Sequence, residues 1–379
     1  MKCQHTCPTI APALINSYRS PTRLFVDGEC LLSCEGTTQG DPLAMAMYAL
    51  ATVPLIQEVS QSGALQSWYA DDSTAASTIR KLHHWWLLLK QRGPAYGYFP
   101  NDAKSVLVVK PEHLQEAESL FADTAVQIRT DGWRHLGAVL GSPEFCKQYV
   151  TEKVETWALE VGRLADFATT QPQAAYAAFI HGLRHKWSFV ARTVPGISGL
   201  LDPLEHSIRQ RFIPALTSRP APGDEERAIL SLPCREGGLG LIDPRSLTDQ
   251  YNMSVVVTNI LVSRILDQDT NMDEVPTTIH AAKLTAAAAT RRAARDQASQ
   301  LLATCDAPTQ RTLGMAAEKG ASNWLTCRPL KQFGFVLHKG AFRDALCLRF
   351  GWVPPRLPST CGVALSKSRN VSSDPSSYM

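Results

Sequence analysis

The sequence holds no uninterrupted apolar run of the roughly 18 residues that a membrane helix needs. The longest candidate, Pro42 to Ile56, is too short, so no membrane segment is expected. Met1 to Leu14 carries no basic flank leading into an apolar stretch. No secretory signal is read there, and an intracellular setting, nucleus or cytoplasm, is expected. Cysteine is sparse, ten in 379 residues with no Cys-x-x-Cys pair. That excludes a disulfide scaffold and leaves reduced, packed thiols. Charged residues make up 19% and hydrophobic ones 44%. The chain is therefore globular in bulk, with room at roughly 100–200 residues per domain for two or three domains.

The net charge of +3 conceals an asymmetry. Residues 1–80 hold four Lys/Arg against seven Asp/Glu, whereas residues 245–379 hold sixteen against ten. A basic end suits a polyanion partner and equally suits a solvated surface.

Strand patterns occupy Thr22 to Val26, Leu65 to Ala70, Ser105 to Val109, Val126 to Arg129 and Trp133 to Val139. Asp131-Gly132 between the last two is a hairpin signal. Helices are expected at Leu43 to Ser60, Thr78 to Arg92 and Pro111 to Ala122, which makes an α+β module with a small antiparallel sheet. After Glu144 almost everything reads as helix. Val154, Trp157, Val161, Leu164 and Ala168 recur at spacings of three and four, and further helices are expected at Pro172 to Ala191, Gly199 to Leu216 and Ala281 to Leu302. Ser218 to Asp224 breaks the pattern. The expected organisation is an α+β module over 1–143, an all-helical domain over 144–217, a helical extension over 218–365 and a Ser-rich disordered tail over 366–379.

The sharpest local feature is Tyr69-Ala70-Asp71-Asp72, two adjacent carboxylates between two strand-like runs. Adjacent carboxylates repel unless a cation neutralises them, so a hairpin tip presenting both suits Mg2+ or Mn2+. A solvated turn is the plainer alternative. Upstream, Glu35-Gly36-Thr37-Thr38-Gln39-Gly40-Asp41-Pro42-Leu43 leads into a helix with Asp41 as its cap and Pro42 as its first residue. Capping explains Asp41 and Pro42, and leaves Gln39-Gly40 unexplained. A glycine before a helix N-terminus suits close approach of a phosphate or a base-paired strand.

Gln39-Gly40-Asp41-Pro42-Leu43, then a helix, then Tyr69-Ala70-Asp71-Asp72 resembles the palm of a reverse transcriptase, closest to the non-LTR (LINE-type) retrotransposon enzymes. Asn101 to Lys104 resembles the family's next motif, and His135-Leu136-Gly137 its primer-grip hairpin. Leu232-Pro233 through Gly237-Gly238-Leu239-Gly240 resembles the segment after the thumb. Glu318 to Ser322 and Phe342 to Ala345 resemble the region beyond, so the similarity reaches from Cys7 to about Gly362.

The resemblance implies a partial palm, a helical thumb and a C-terminal extension, in an RNA-directed DNA polymerase working by two-metal nucleotidyl transfer. Asp71 and Asp72 would be its catalytic metal ligands, for Mg2+ or Mn2+. Gln39, Gly40, Asp41 and Lys104 would lie along template and nucleotide, with Lys104 either a proton donor or a structural lysine. The implied partners are an RNA template, a DNA primer and deoxynucleotides. Arg184, Lys186, Arg192, Arg209 and Arg211, with Trp187 and Phe189, would be the thumb's nucleic-acid contacts, or else a solvated face over core aromatics. The family's first carboxylate has no match, because Asp27, Glu29 and Glu35 are not placed for it, and the fingers are absent. An isolated chain is therefore expected to be inactive unless a partner chain supplies the missing palm and fingers.

A non-catalytic RNA- or DNA-binding remnant is the alternative, and an unstable palm with an open sheet edge a third. Cys3, His5 and Cys7 have the wrong spacing for zinc. Cys361-Gly362 resembles the start of the family's Cys/His segment, but the sequence then diverges into the Ser-rich tail without the remaining ligands, so no working zinc knuckle is expected. His83-His84-Trp85-Trp86 reads as a buried helix face.

Overall fold

In the computed structural model the described residues are 8–9, 11–34, 36–37, 40–248, 251–256, 258–259 and 274–355. Glu35, Gln39, the Cys3/His5/Cys7 group, Cys361-Gly362 and the expected tail lie outside them. The architecture is α+β, with small two-stranded sheets among many helices. Two compact units, Met1–Trp133 and Arg134–Met379, divide the chain.

The first unit opens with α1 (Ala11–Tyr18), then β1 (Thr22–Val26) and β2 (Glu29–Ser33), an antiparallel ribbon closed at Asp27-Gly28. Both turn residues take positive φ, 50° and 84°, as a two-residue hairpin of matching twist requires. Helix α2 (Ala44–Val59) follows, then the antiparallel hairpin of β3 (Leu65–Tyr69) and β4 (Asp72–Ala76) and helix α3 (Ile79–Arg92). The amphipathic helices α2 and α3 bury Leu55, Val59, Trp85, Trp86 and Leu89 in one core with Leu107, Ala117 and Phe121. In the expected His-His-Trp-Trp face both tryptophans are buried, while His84 is exposed and His83 sits edge-on to Phe121.

β5 (Val106–Val108) pairs in parallel with β6 (Gln127–Arg129), and helix α4 (Leu114–Leu120) makes the crossover between them. This corrects two expectations: not every sheet is antiparallel, and Asp131-Gly132 does not close a hairpin. Leu107 is buried in the core, and Ile128, its partner across the parallel ladder, packs half-buried against it. Burying a side chain such as Leu107 is worth roughly 1.5–3 kcal/mol, more than a turn preference. Asp131 instead pairs with Arg129 in a bend, Nη2 to Oδ2 3.0 Å. The hairpin forms one turn later, where β7 (Gly132–His135) pairs with β8 (Ala138–Gly141) across Leu136-Gly137.

The second unit is mostly helical. Its long helix α5 (Pro143–Ala168) is capped by the Ser142 hydroxyl, which accepts from the Phe145 N–H at 3.1 Å. Next come α6 (Pro172–Ala178), α7 (Arg184–Thr193), α8 (Asp202–Ser207), α9 (Ile213–Thr217) and α10 (Asp224–Ser231). Single π-helical turns at Phe179–Leu183 and Ile208–Phe212 join α6 to α7 and α8 to α9. Beyond lie α11 (Val275–Thr304), α12 (Ala307–Ala317), α13 (Asn323–Thr326) and α14 (Lys339–Phe350). One core runs through Val150, Trp157, Phe179, Phe212, Leu230, Leu239, Phe342 and Phe350, so residues 144–217 and 218–355 share their packing without a break at Ser218.

The Pro233–Gly240 loop runs into the centre of this unit, with Gly237 to Gly240 buried and Arg235 exposed, and its backbone is satisfied by side chains from distant elements. Arg349 donates to the carbonyls of Cys234 and Gly238 at 2.9 and 3.0 Å, Tyr176 to Leu239 at 2.7 Å and Ser322 to Cys234 at 2.8 Å. Arg227 makes a bidentate pair with Glu205, both contacts 2.7 Å, and reaches the Leu241 carbonyl at 2.6 Å. A buried ion pair is tolerable only when so fully hydrogen-bonded.

Candidate active site

The register Tyr69↔Asp72 leaves Ala70 and Asp71 as the two turn residues, with Ala70 at φ 53°. Asp71 and Asp72 are both exposed at the tip of the hairpin. Their turn is braced from behind. Tyr98 donates its hydroxyl to the Asp71 carbonyl at 2.9 Å, lies 2.9 Å from the Ser73 hydroxyl, and tilts its ring on Trp68 at 5.2 Å. Burial, and then the negative charges of Asp71 and Asp72, push the Tyr98 phenol up, while the Ser73 contact opposes this. It therefore stays protonated and able to donate. Burial, Tyr98 and Asp71 likewise push up the Tyr48 phenol on α2.

The base of the hairpin is tied through one side chain. Gln66 on β3 accepts from the indole N–H groups of Trp68 and Trp85 at 3.0 and 3.1 Å, and donates to the Ile56 carbonyl at 2.9 Å. The strand is thus fixed to α2 and α3.

Asp41 does not cap the helix directly. Helix α2 starts at Ala44 with Leu43 as its N-cap, two residues later than expected. Asp41 closes the preceding turn, its Oδ1 accepting from the Leu43 N–H at 2.8 Å and its other oxygen from the Tyr18 hydroxyl. The Tyr18 bond first, then the Leu43 bond, hold its carboxyl below the usual range. Gly40 takes φ 93°, and a Cβ there would meet nothing within 4 Å, so the glycine serves the backbone angle and not a close contact.

Lys104 closes a short 3-10 turn, Asp102–Lys104, capped by Asn101, whose side chain accepts from the Lys104 N–H at 3.2 Å. Lys90 of α3 grips Asp102 with two contacts of 2.8 Å and so pins the turn. The Lys104 side chain is exposed.

His135, Leu136 and Gly137 belong to the second unit. Leu136 and Gly137 take φ 49° and 81°, the mirror-image turn favoured in tight hairpins. Tyr149 of α5 donates to the Gly137 carbonyl at 3.1 Å, and a Cβ on Gly137 would touch the Phe189 ring at 3.4 Å. Phe189 thus supports the turn. Trp187 is 2% exposed in the core beside Trp157 and Phe179, so it offers no stacking platform.

The five expected thumb cations are engaged within the protein. Lys186 pairs with Glu160 at 2.6 Å, Arg209 with Asp224 at 2.7 Å and Arg211 with Asp166 at 3.4 Å. Arg184 and Arg192 donate to backbone carbonyls of Gly240 and Ser188.

Tyr98, Gln66, Tyr18 and Tyr149 escaped sequence reasoning, since each acts through side-chain hydrogen bonds that leave no periodic trace. Among the described residues no group of three His, Cys, Asp or Glu is placed to hold a metal. No described helix is long and apolar enough to cross a membrane. No protein-family model, no curated protein and no solved structure matches the chain.

Proposed function

We propose that the chain is a reverse-transcriptase-type fragment of the non-LTR kind, in which Asp71 and Asp72 receive Mg2+ or Mn2+ together with a deoxynucleotide. The observation that supports this is the β3–β4 hairpin, which presents two adjacent exposed carboxylates at its tip, Asp71 in the turn and Asp72 at the start of β4. Mg2+ is commonly held by one or two carboxylates plus substrate phosphates, and this donor set fits that mode. When bound, the ion supplies charge neutralisation at the phosphate and activation of the attacking hydroxyl. The chain's own part is to hold the carboxylates: Tyr98 fixes the turn, and Gln66 fixes the strand.

The absence of a third acidic ligand among the described residues favours a second reading, a non-catalytic RNA- or DNA-binding remnant. Polymerisation on the first reading needs a first carboxylate and fingers, for which this sequence shows no match. Electron paramagnetic resonance titration of Mn2+ with a deoxynucleoside triphosphate tests the metal site. Wild type binds, and Asp71→Asn weakens binding roughly tenfold, the scale of a lost charged contact of about 1.5–3 kcal/mol. Equal binding by the two proteins would overturn the reading.

A further inference from the structure

Among the described residues of the second unit, the longest helix with most of its surface exposed is α11. This helix runs 30 residues from Val275 to Thr304, yet among its described side chains only Ala298 is buried. Leu302, near the C-terminal end, packs against the core, and the helix touches α10, α12 and the turn Cys234–Glu236. From residue 280 to residue 297 every side chain is exposed or half-exposed.

That stretch carries Lys283, Arg291, Arg292 and Arg295 against a single acid, Asp296. Among the described residues the ion pairs of the protein include none of these four cations. The contrast with Lys186, Arg209 and Arg211, each already facing a carboxylate, is direct. Arg291 and Arg295 stand four residues apart, where like charges destabilise a helix by a few tenths of a kcal/mol unless an anion lies between them.

We infer that α11 is a nucleic-acid backbone-binding helix, with Lys283, Arg291, Arg292 and Arg295 contacting phosphates. Twelve residues separate Lys283 from Arg295, roughly 18 Å along the axis. One strand of a duplex carries about five phosphates over that length; Arg291, Arg295 and Arg292 fall within roughly 100° of the helix circumference and face it together, while Lys283 lies about 80° further round and reaches its flank. The residues between are mainly alanine, Ala286 to Ala289 with Ala293 and Ala294, so nothing bulky keeps a sugar-phosphate backbone away.

Other partners fit worse. A protein interface is anchored by aromatic or large apolar side chains, and on the exposed stretch Leu284 is the one large apolar residue that is well exposed. A membrane-surface helix needs a continuous apolar face with Trp, Phe or Leu, which is missing here.

The inference deepens the nucleic-acid side of the proposed function and does not depend on the metal site. Binding of the full chain to a fluorescein-labelled RNA–DNA hybrid is followed by anisotropy in metal-free buffer, from about 50 to about 200 mM salt. The variant combines Lys283→Gln, Arg291→Gln, Arg292→Gln and Arg295→Gln. The control removes equal charge from the first unit with Arg80→Gln, Lys81→Gln, Arg92→Gln and Lys110→Gln. Three to four lost phosphate contacts should reduce the log–log salt slope by about three to four and cut affinity on the order of a hundredfold at the low-salt end. The control should keep the wild-type slope. Equal slopes for wild type and the α11 variant, an absence of hybrid binding, or binding to phosphatidylserine vesicles in preference to the hybrid would each overturn the inference. Failure of the Mn2+ titration alone would count against the hairpin reading and leave this one standing.

Discussion

At the scale of single residues, the candidate site depends on a few hydrogen bonds made at a distance in sequence. Tyr98 stands 27 residues beyond Asp71 and holds its carbonyl. Tyr98→Phe removes the hydroxyl and leaves the ring on Trp68, so a loss of about 0.5–1.5 kcal/mol in stability is expected, with Mn2+ binding weakened severalfold. Unchanged Mn2+ binding in the titration would show that the clamp does not position the carboxylates. Asp41 gives a prediction with a sign. Its carboxyl titrates low in the fold, so the contribution is present above the unfolded value near 3.9 and is lost as pH falls through the lower folded value. Tyr18→Phe should raise the Asp41 midpoint measured by NMR, and an unmoved midpoint would refute the assignment. The motif residues themselves were legible in the sequence, because paired carboxylates and a Gly before a helix stand out as chemistry. Their supports were not legible, because a tyrosine that makes one long-range bond looks like any other.

At the scale of elements, sequence patterning located the β3–β4 hairpin, α2, α3 and α5 to within a few residues. The misreading at Asp131-Gly132 has a physical cause. Turn propensity is local, whereas β6 pairs with β5 because that ladder packs Ile128 against the buried Leu107. The start of α2 moved because Asp41 found a better use in the turn before it. The Pro233–Gly240 loop shows the same lesson in the opposite direction. In the sequence its glycines mark only a resemblance to the segment after the thumb, and the fold makes Gly238 indispensable. A Cβ there would lie 2.1 Å from the Leu232 carbonyl oxygen and 2.7 Å from that of Ile229. Gly238→Ala should therefore cost several kcal/mol, at or above the usual ~1–3 kcal/mol of overpacking, as measured by denaturant melting. A near-neutral result would mean that the loop is not the rigid centre described.

At the scale of the whole molecule, the patterning of strands and helices points to the observed class, α+β with extensive helix, but not to the packing. The change from mixed to helical architecture was visible as a change of period, while the continuity of the core across Ser218 was not. Ile229, Leu230, Leu239, Leu241, Phe342 and Leu346 complete the core begun by α5 to α9. A piece ending at residue 217 loses them all, and should melt broadly by circular dichroism where residues 134–355 melt sharply. A sharp transition for the short piece would contradict a shared core. The charge asymmetry also takes a definite form: the basic excess of the C-terminal third includes the unpaired cations of α11, while the thumb-region cations are spent on internal pairs.

The most direct test of the central claim is site-resolved. Backbone amide NMR of the chain, titrated with Mn2+ in the presence of a deoxynucleoside triphosphate, reports where the ion sits. The account predicts paramagnetic broadening centred on residues 69–73 and reaching Tyr98, abolished by Asp71→Asn. Broadening centred elsewhere, or none at the hairpin, would contradict it.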